Sequence, residues 1–182
     1  MRFLLLIPLL LGFVPALSAT VLVPAEFREI VSGSQIIVHG RISEIRPEWI
    51  EGRRRIESVI TLDASSFYRG TSSSSVTFRV PGGQIGRYKS ITVGAPEFKA
   101  GDEVVLFLKS QGPAVPHVFG LNQGVFRVQV DGRTGRRTVM QPILMARGTT
   151  PQKVVRGARD RQPLPLDQFA AQIRTVLQGG AR

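Results

Sequence analysis

The sequence of 182 residues contains no cysteine and only two histidines, His39 and His117. The missing cysteines exclude disulfide bonds, thiolate catalysis and cysteine-ligated zinc sites. Acidic residues are also scarce, because 13 Asp and Glu stand against 24 Lys and Arg, which gives a formal net charge of +11. Such a charge favours contact with polyanions or anionic membranes, although general solubility is the more common reason for it.

Catalytic and metal-binding motifs are lacking as well. No His-Glu-x-x-His, Gly-x-Ser-x-Gly or aspartate-rich metal loop is present, and neither histidine has a carboxylate at ligand or triad spacing. Asp102 and Glu103 are adjacent, but neighbouring strand residues point to opposite faces. We therefore predict no catalytic residue, no metal ligand, no cofactor and no enzymatic activity. An enzyme of an unrecognised type is the alternative, and a pocket that brings His39 or His117 to a carboxylate would support it.

Long apolar runs are confined to the N-terminus. A basic residue precedes an apolar run over residues 3–11, and small residues typical of a cleavage site follow. We predict a signal peptide over residues 1–19, cleaved after Ala19 or alternatively after Ser18, and hence a periplasmic or secreted protein. No later run approaches the roughly 20 residues needed to span a bilayer, so we expect no transmembrane segment after cleavage.

The segment from Val76 to Lys109 is the centre of the predicted fold. Apolar and polar residues alternate over residues 76–80, which predicts a strand with one buried face. Val104–Leu108 is apolar throughout, and a short run of this kind between turn signals predicts a strand buried on both faces. Ile91 and Val93 resume the alternation and suggest a further strand between these two.

A glycine- and proline-rich stretch follows the first of these strands. A phosphate-binding function is disfavoured, because a strand rather than a helix N-terminus comes next. We predict instead a structural loop that is shaped by Pro81, Gly82, Gly83, Gly94 and Pro96.

The remaining patterns predict a mainly β protein. The elements expected outside the central segment are a short helix over Pro24–Val31, strands over Gln35–Ile45 and from Ile56 to Tyr68, a hairpin connection over Pro47–Arg55, strands at Val118-Phe119, Val125–Val130 and Arg137–Met140, and an amphipathic helix over Leu166–Leu177 docked on the sheet. Together they indicate a small closed or partly open antiparallel barrel, OB-like, with a short N-terminal and a C-terminal helix. The predicted division is a signal peptide (1–19), a barrel domain (20–146), a basic linker (147–165) and a C-terminal helix (166–182).

The predicted binding residues are Trp49, Arg53, Arg54 and Arg55, with Trp49 near the tip of the hairpin. Three guanidinium groups beside an indole suit a phosphate, a sulfate or an acidic partner. A solvated loop is nevertheless the more common state of such a cluster. His39, as a lone histidine on a strand, is expected to be a partly exposed packing residue rather than a ligand.

Several segments resemble a group of uncharacterised secreted bacterial proteins, some of which are similar to segments found beside metalloprotease domains. The segments that carry the resemblance are Ser34–Ile42, Phe67–Gly70, Pro81–Gly83 and Gly94–Leu108. More distantly, the chain is similar to the netrin-like, OB-fold barrel of the tissue inhibitors of metalloproteinases, over roughly residues 24–130. These inhibitors chelate the protease zinc through an N-terminal cysteine, which this chain lacks, so the resemblance implies the shape and not that mechanism.

These observations predict a non-catalytic binding or interaction module outside the cytoplasm, which pairs with an envelope or secreted protein such as a protease. The alternative is a polyanion-binding protein that holds anionic glycans or lipid headgroups through its arginine-rich loops. Export argues against cytoplasmic nucleic acid as the partner.

Overall fold

The computed structural model describes residues 23–142, apart from 111 and 113, and residues 163–179. The predicted signal peptide and most of the predicted basic linker lie outside the described residues. The chain is mainly β, with a closed five-stranded barrel, a short N-terminal helix and a C-terminal helix, which confirms the predicted fold class. Neither helix of the described ranges has the length and hydrophobicity needed to cross a bilayer.

The elements follow one another as α1 (Phe27–Ser32), β1 (Ile36–Ile50), β2 (Arg55–Arg69), β3 (Ser75–Pro81), β4 (Gly83–Ile85), β5 (Tyr88–Ser90), β6 (Glu103–Lys109), β7 (His117–Val118), β8 (Val125–Val130), β9 (Arg137–Met140), β10 (Leu164–Pro165) and α2 (Leu166–Gly179). A short 3₁₀ helix over Leu121–Gly124 leads into β8.

Five strands form the barrel in the ring order β1-β2-β3-β7-β6, and β6 pairs with β1 to close it. Neighbours run antiparallel except β3 and β7, which run parallel where Arg79 meets His117. The predicted antiparallel barrel is therefore wrong at this one seam. Closure covers the edge of β1 from Ile36 to Arg41, and a covered edge does not invite aggregation.

Strand β6 is buried on both faces, as its apolar run predicted, and all five residues of Val104–Leu108 are fully buried. The even-numbered residues belong to the barrel interior, together with Val38, Leu62 and Phe78. Val105 and Phe107 belong to a second core between the outer face of the sheet and the two helices. The strand is apolar throughout because it serves both cores.

Aromatic rings dominate the second core. Phe169 of α2 lies with its ring centroid 4.8 Å from that of Phe126 and 5.5 Å from that of Phe27. Phe126 in turn lies 5.1 Å from Phe107 on β6. Because Phe169 and Ile173 are buried in this cluster, α2 is docked on the sheet, as its apolar stripe predicted.

The β1–β2 hairpin is longer than predicted. Both strands have 15 residues, and Trp49 pairs with Ile56 inside the ladder, so the predicted connection over Pro47–Arg55 is wrong. The turn is only Glu51–Arg54. Pro47 does not stop the strand because β1 pairs with β6 only as far as Arg41, and a proline is tolerated on the edge strand beyond that point.

Two further predicted elements are also wrong in detail. The first helix begins at Phe27 rather than at Pro24, because Glu26 and Glu29 form a reciprocal capping box. The strand expected at residues 91 and 93 is absent from the described chain, and the short β4–β5 hairpin forms before it instead. The side chains of Ile91 and Val93 are 74% and 93% exposed.

Candidate functional site

The predicted arginine cluster lies at the end of the β1–β2 hairpin, beyond the barrel wall. Three successive residues of its turn have left-handed backbone, with φ of 52° at Glu51, 63° at Gly52 and 68° at Arg53. Non-glycine residues adopt this conformation reluctantly, so the strand pairing on either side must hold it in place. The turn carries Arg53 and Arg54 with both side chains exposed.

Within the described chain, one of the three arginines is paired with carboxylates and the other two are not. Arg55 lies 3.3 Å from a carboxylate oxygen of Glu51 and 3.6 Å from one of Glu57, so its charge is largely compensated. Arg53 and Arg54 form no ion pair with any residue that the structure describes. Within the described chain, the two turn arginines are therefore the ones whose charge no carboxylate compensates.

Glu48, another acidic residue of the hairpin, is also ion-paired. One carboxylate oxygen of Glu48 lies 3.1 Å from Arg46, and the other lies 2.9 Å from Arg79 on β3. Glu57 further approaches Arg79 at 3.8 Å. Because these carboxylates already face arginines, they do little to repel an anion that approaches the turn.

The β4–β5 hairpin lies against the same part of the β1–β2 hairpin. A Cβ atom added at Gly83 would meet Ser58 Oγ at 2.8 Å and Ile56 Cγ2 at 3.0 Å, so only a glycine allows this approach. The hydroxyl of Ser58 donates a 2.9 Å hydrogen bond to the carbonyl of Gly82. Gly82 and Gly83, two residues of the predicted structural loop, thus hold the two hairpins together.

This approach creates an aromatic contact that the sequence did not reveal. The rings of Trp49 and Tyr88 meet edge to face, with centroids 5.5 Å apart. The guanidinium of Arg87 lies 5.1 Å from the centre of the Tyr88 ring and donates a 3.1 Å hydrogen bond to its hydroxyl. We call the surface formed by Trp49, Arg53, Arg54, Arg87 and Tyr88 the basic–aromatic surface.

The basic–aromatic surface has the chemistry of an anion-binding site. Guanidinium groups form bidentate, charge-assisted hydrogen bonds to carboxylate, sulfate and phosphate. The rings of Trp49 and Tyr88 add rigid apolar contact area with polar edges, and Tyr88 is 52% exposed. Such a combination suits an extended anionic ligand better than a single small ion.

No family model, curated protein or solved structure matches this chain. The resemblance to secreted bacterial proteins and to netrin-like barrels therefore stays a proposal. The barrel itself does not depend on it, because the strand order and closure are read directly from the pairing of the strands.

His39 lies in a second cluster of polar residues and is not the partly exposed residue predicted, since only 6% of it is exposed. Its Nε2 lies 2.9 Å from Oε1 of Glu103, a residue 64 positions further along the chain. The same carboxylate lies 3.2 Å from Arg41 and 3.4 Å from Arg137. Pairing of β1 with β6 explains the contact, because it places Arg41 opposite Glu103 and His39 opposite Val105.

The pairing of His39 with Glu103 is the arrangement that would support the enzymatic alternative. An acid–base site also needs a nucleophile or substrate group within hydrogen-bond reach of the imidazole. Among the described residues no hydroxyl is hydrogen-bonded to His39. Asp102, which precedes Glu103 in the chain, does not contact His39. Its carboxylate accepts a 2.8 Å hydrogen bond from Arg127, so the two adjacent carboxylates bind different partners.

The second histidine does not join this cluster. His117 is exposed on β7, where it pairs with Lys109 of β6 and with Arg79 of β3. Within residues 23–142 and 163–179, as far as they are described, no three His, Asp or Glu side chains lie close enough together to hold a metal ion.

Proposed function

We propose that this chain is a binding module that acts outside the cytoplasm, and that its basic–aromatic surface holds an acidic glycan. The observation that carries the proposal is the Trp49–Tyr88 contact with Arg87 against Tyr88, on the same hairpin whose turn carries Arg53 and Arg54, with no ion pair to any of the three arginines within the described chain. Arginines that serve only solubility do not require two hairpins to be brought together around an aromatic pair.

Rigidity of the hairpin supports this proposal. The β1–β2 ladder is continuous through its last part, from the pair Glu44–Thr61 to the pair Ile50–Arg55. Arg53 and Arg54 are thus presented by a paired ribbon that is anchored in the barrel. A surface that is ordered before binding loses less conformational entropy when it meets its ligand.

The type of barrel also favours a glycan. OB folds bind oligosaccharides and oligonucleotides with the loop between their first two strands among the contacting loops, and the turn Glu51–Arg54 occupies that position. This is an argument from fold analogy and it identifies the place rather than the ligand. The predicted export then favours an oligosaccharide over a nucleic acid.

A salt-dependent binding assay tests the proposal. We expect immobilised heparin and soluble polygalacturonate to bind the wild type and to bind the R53S/R54S double variant about tenfold or more weakly, because two charge-assisted contacts are lost. The matched control is R28S/R133S, which removes two exposed arginines elsewhere and the same charge. Equal weakening in both double variants would show attraction by net charge alone and would contradict a dedicated surface.

A protein partner is the second candidate, and the exposed apolar loop after β5 favours it. Ile91 and Val93 expose most of their side chains, and exposed apolar residues that lie together often mark protein–protein contacts. We expect an I91S/V93S variant to lose crosslinked partners captured from periplasmic or culture extract, while R53S/R54S retains them. A wild type that stays monomeric without any crosslinked partner would contradict this candidate.

A further inference from the structure

An open depression of about 800 Å³ lies over the outer face of the sheet, at the barrel end of the β1–β2 hairpin. Its residues come from the first turn of α2, from the β8–β9 turn and from both strands of the hairpin. His39 and Ser66 contribute to it side by side, because they are directly paired across β1 and β2. The volume falls within the range of small-molecule sites, roughly 300–1,000 Å³.

The depression is basic. Arg136 and Arg137 both line it, and Arg136 forms no ion pair with the part of the chain that the structure describes. Arg137 contacts Glu103 through its Nε atom at 3.4 Å, and its side chain is 54% exposed. Asp167 is the one carboxylate among the described lining residues.

The buried Glu103 orients side chains of this site and does not repel an anionic ligand. Its two oxygens contact His39, Arg41 and Arg137, so its negative charge is compensated within the protein. These contacts also restrict the orientation of the Arg137 side chain and of the imidazole. Polar side chains that are oriented in advance bind a ligand with less loss of entropy.

Apolar residues also line the depression. They are Tyr68, Val130, Leu166 and Ala170, and Val130 is 50% exposed. A pocket that combines apolar residues with a few convergent polar groups binds ligands that combine the same two properties. The hydroxyls of Ser65 and Ser66, which also line the depression, add hydrogen-bonding groups.

From this combination of arginines and apolar residues in one depression we infer a second binding site, which takes a small organic acid with an anionic head and an apolar body. The head lies toward Arg136 and Arg137, and the body lies against Tyr68, Leu166 and Ala170. A fatty acid and an aromatic carboxylic acid share this chemistry. The site is separate from the basic–aromatic surface, because His39 and Trp49 lie ten positions apart on one extended strand.

Calorimetric titration of the full chain tests the inference with three probes, decanoate, phenylacetate and 1-decanol. We expect decanoate to bind saturably and the neutral alcohol to bind at least about tenfold more weakly, because it lacks the charge that the arginines recognise. Phenylacetate distinguishes the two sources of the acid, since tighter binding of phenylacetate than of decanoate would indicate an aromatic ligand.

Variants locate the site. R136Q should weaken decanoate binding about tenfold, whereas R133Q, which removes another exposed arginine of the same turn, should leave it unchanged. D167N should tighten binding, because it removes the carboxylate that repels the head. R53S/R54S should have no effect on decanoate binding, so failure of this inference is separate from failure of the glycan proposal.

Equal weakening in R133Q and R136Q, equal binding of alcohol and acid, or no saturable binding of either acid would overturn the inference. Melting temperatures of the variants show whether each remains folded.

Discussion

The arginines at the two ends of the β1–β2 hairpin differ in whether a carboxylate is bound to them in the described chain. At the turn, Arg53 lies on left-handed backbone, and Arg53 and Arg54 are both exposed with no carboxylate bound to them in the described chain. At the barrel end, Arg41 joins His39 and Arg137 around a carboxylate that is only 7% exposed. The residue type is the same, and the difference lies in the acids that folding brings to it.

This difference separates charge that stabilises the fold from charge that is free to bind. A buried carboxylate must be compensated, so Glu103 holds His39 and Arg41 in the structure, while the half-exposed Arg137 contacts it through its Nε atom. An exposed arginine contributes little to stability, because water screens its interactions. The contrast predicts that substitutions at the barrel end change stability most, and that substitutions at the turn change mainly binding.

Removal of Glu103 should have the largest effect. E103A leaves His39 and two arginines without their shared anion, and we expect a loss of about 2–3 kcal/mol in the free energy of unfolding. Loss of one partner from a buried pair costs about 3–5 kcal/mol, and the partial exposure of Arg41 and Arg137 reduces that figure. Urea unfolding measures the loss. A change below about 0.5 kcal/mol would show that the buried cluster stabilises no more than a surface pair does.

Separation of the two hairpins should have an intermediate effect. G83A places a methyl group within 3.0 Å of Ser58 and Ile56, and such overpacking costs about 1–3 kcal/mol. The same change should weaken heparin binding, because it moves Tyr88 away from Trp49. The matched control is G132A, whose added Cβ would meet no atom within 4 Å. Unchanged heparin affinity in a destabilised G83A would show that the aromatic contact is not part of the binding surface.

A charge deletion at the turn should have only a small effect on stability. E51A removes one carboxylate partner of Arg55, and exposed pairs contribute about 0.2–1 kcal/mol. We expect urea unfolding to change by no more than that, and heparin affinity to rise because a negative charge is gone. A loss in the free energy of unfolding as large as that of E103A would show that ion pairs at the hairpin turn stabilise the fold as much as those at the barrel end.

The smallest effect concerns the β8–β9 turn and depends on pH. The backbone N–H of Thr134, the Thr134 hydroxyl and the N–H of Arg133 donate hydrogen bonds to the Asp131 carboxylate and hold its pKa below the ordinary value. A lowered pKa in the folded state stabilises the protein above the unfolded pKa of about 3.9, and this contribution is lost as the pH falls through the folded pKa. The melting temperature of D131N should therefore differ from that of the wild type more at pH 7 than at pH 2. A difference independent of pH would contradict this explanation.

Much of the fold followed from local patterns. The alternation at residues 76–80 and the predicted strand over Val125–Val130 correspond to β3 and β8. The unbroken apolar run of β6 predicted a strand buried on both faces, because it is short, rich in valine and bounded by turn signals. Strand ends were less predictable at Pro47, whose tolerance depends on whether a second strand lies beside it.

The candidate sites were predicted only in part. The arginine cluster was visible because its members are adjacent in the chain. Tyr88 and Arg87 were missed, since their relation to Trp49 depends on the approach at Gly83. The contact of His39 with Glu103 was missed for a similar reason, because no local signal links residues 64 positions apart.

The sequence by itself determined the longer strands, the two buried faces of β6 and the amphipathic helix α2, because hydrophobic periodicity is a local property of the chain. Only the tertiary structure decided which charges are compensated and which are free. Closure of the barrel brings β6 beside β1 and so joins Glu103 to His39 and Arg41. The turn that carries Arg53 and Arg54 lies beyond the last pairing of β1 with β6, and no carboxylate of the described chain pairs with those arginines.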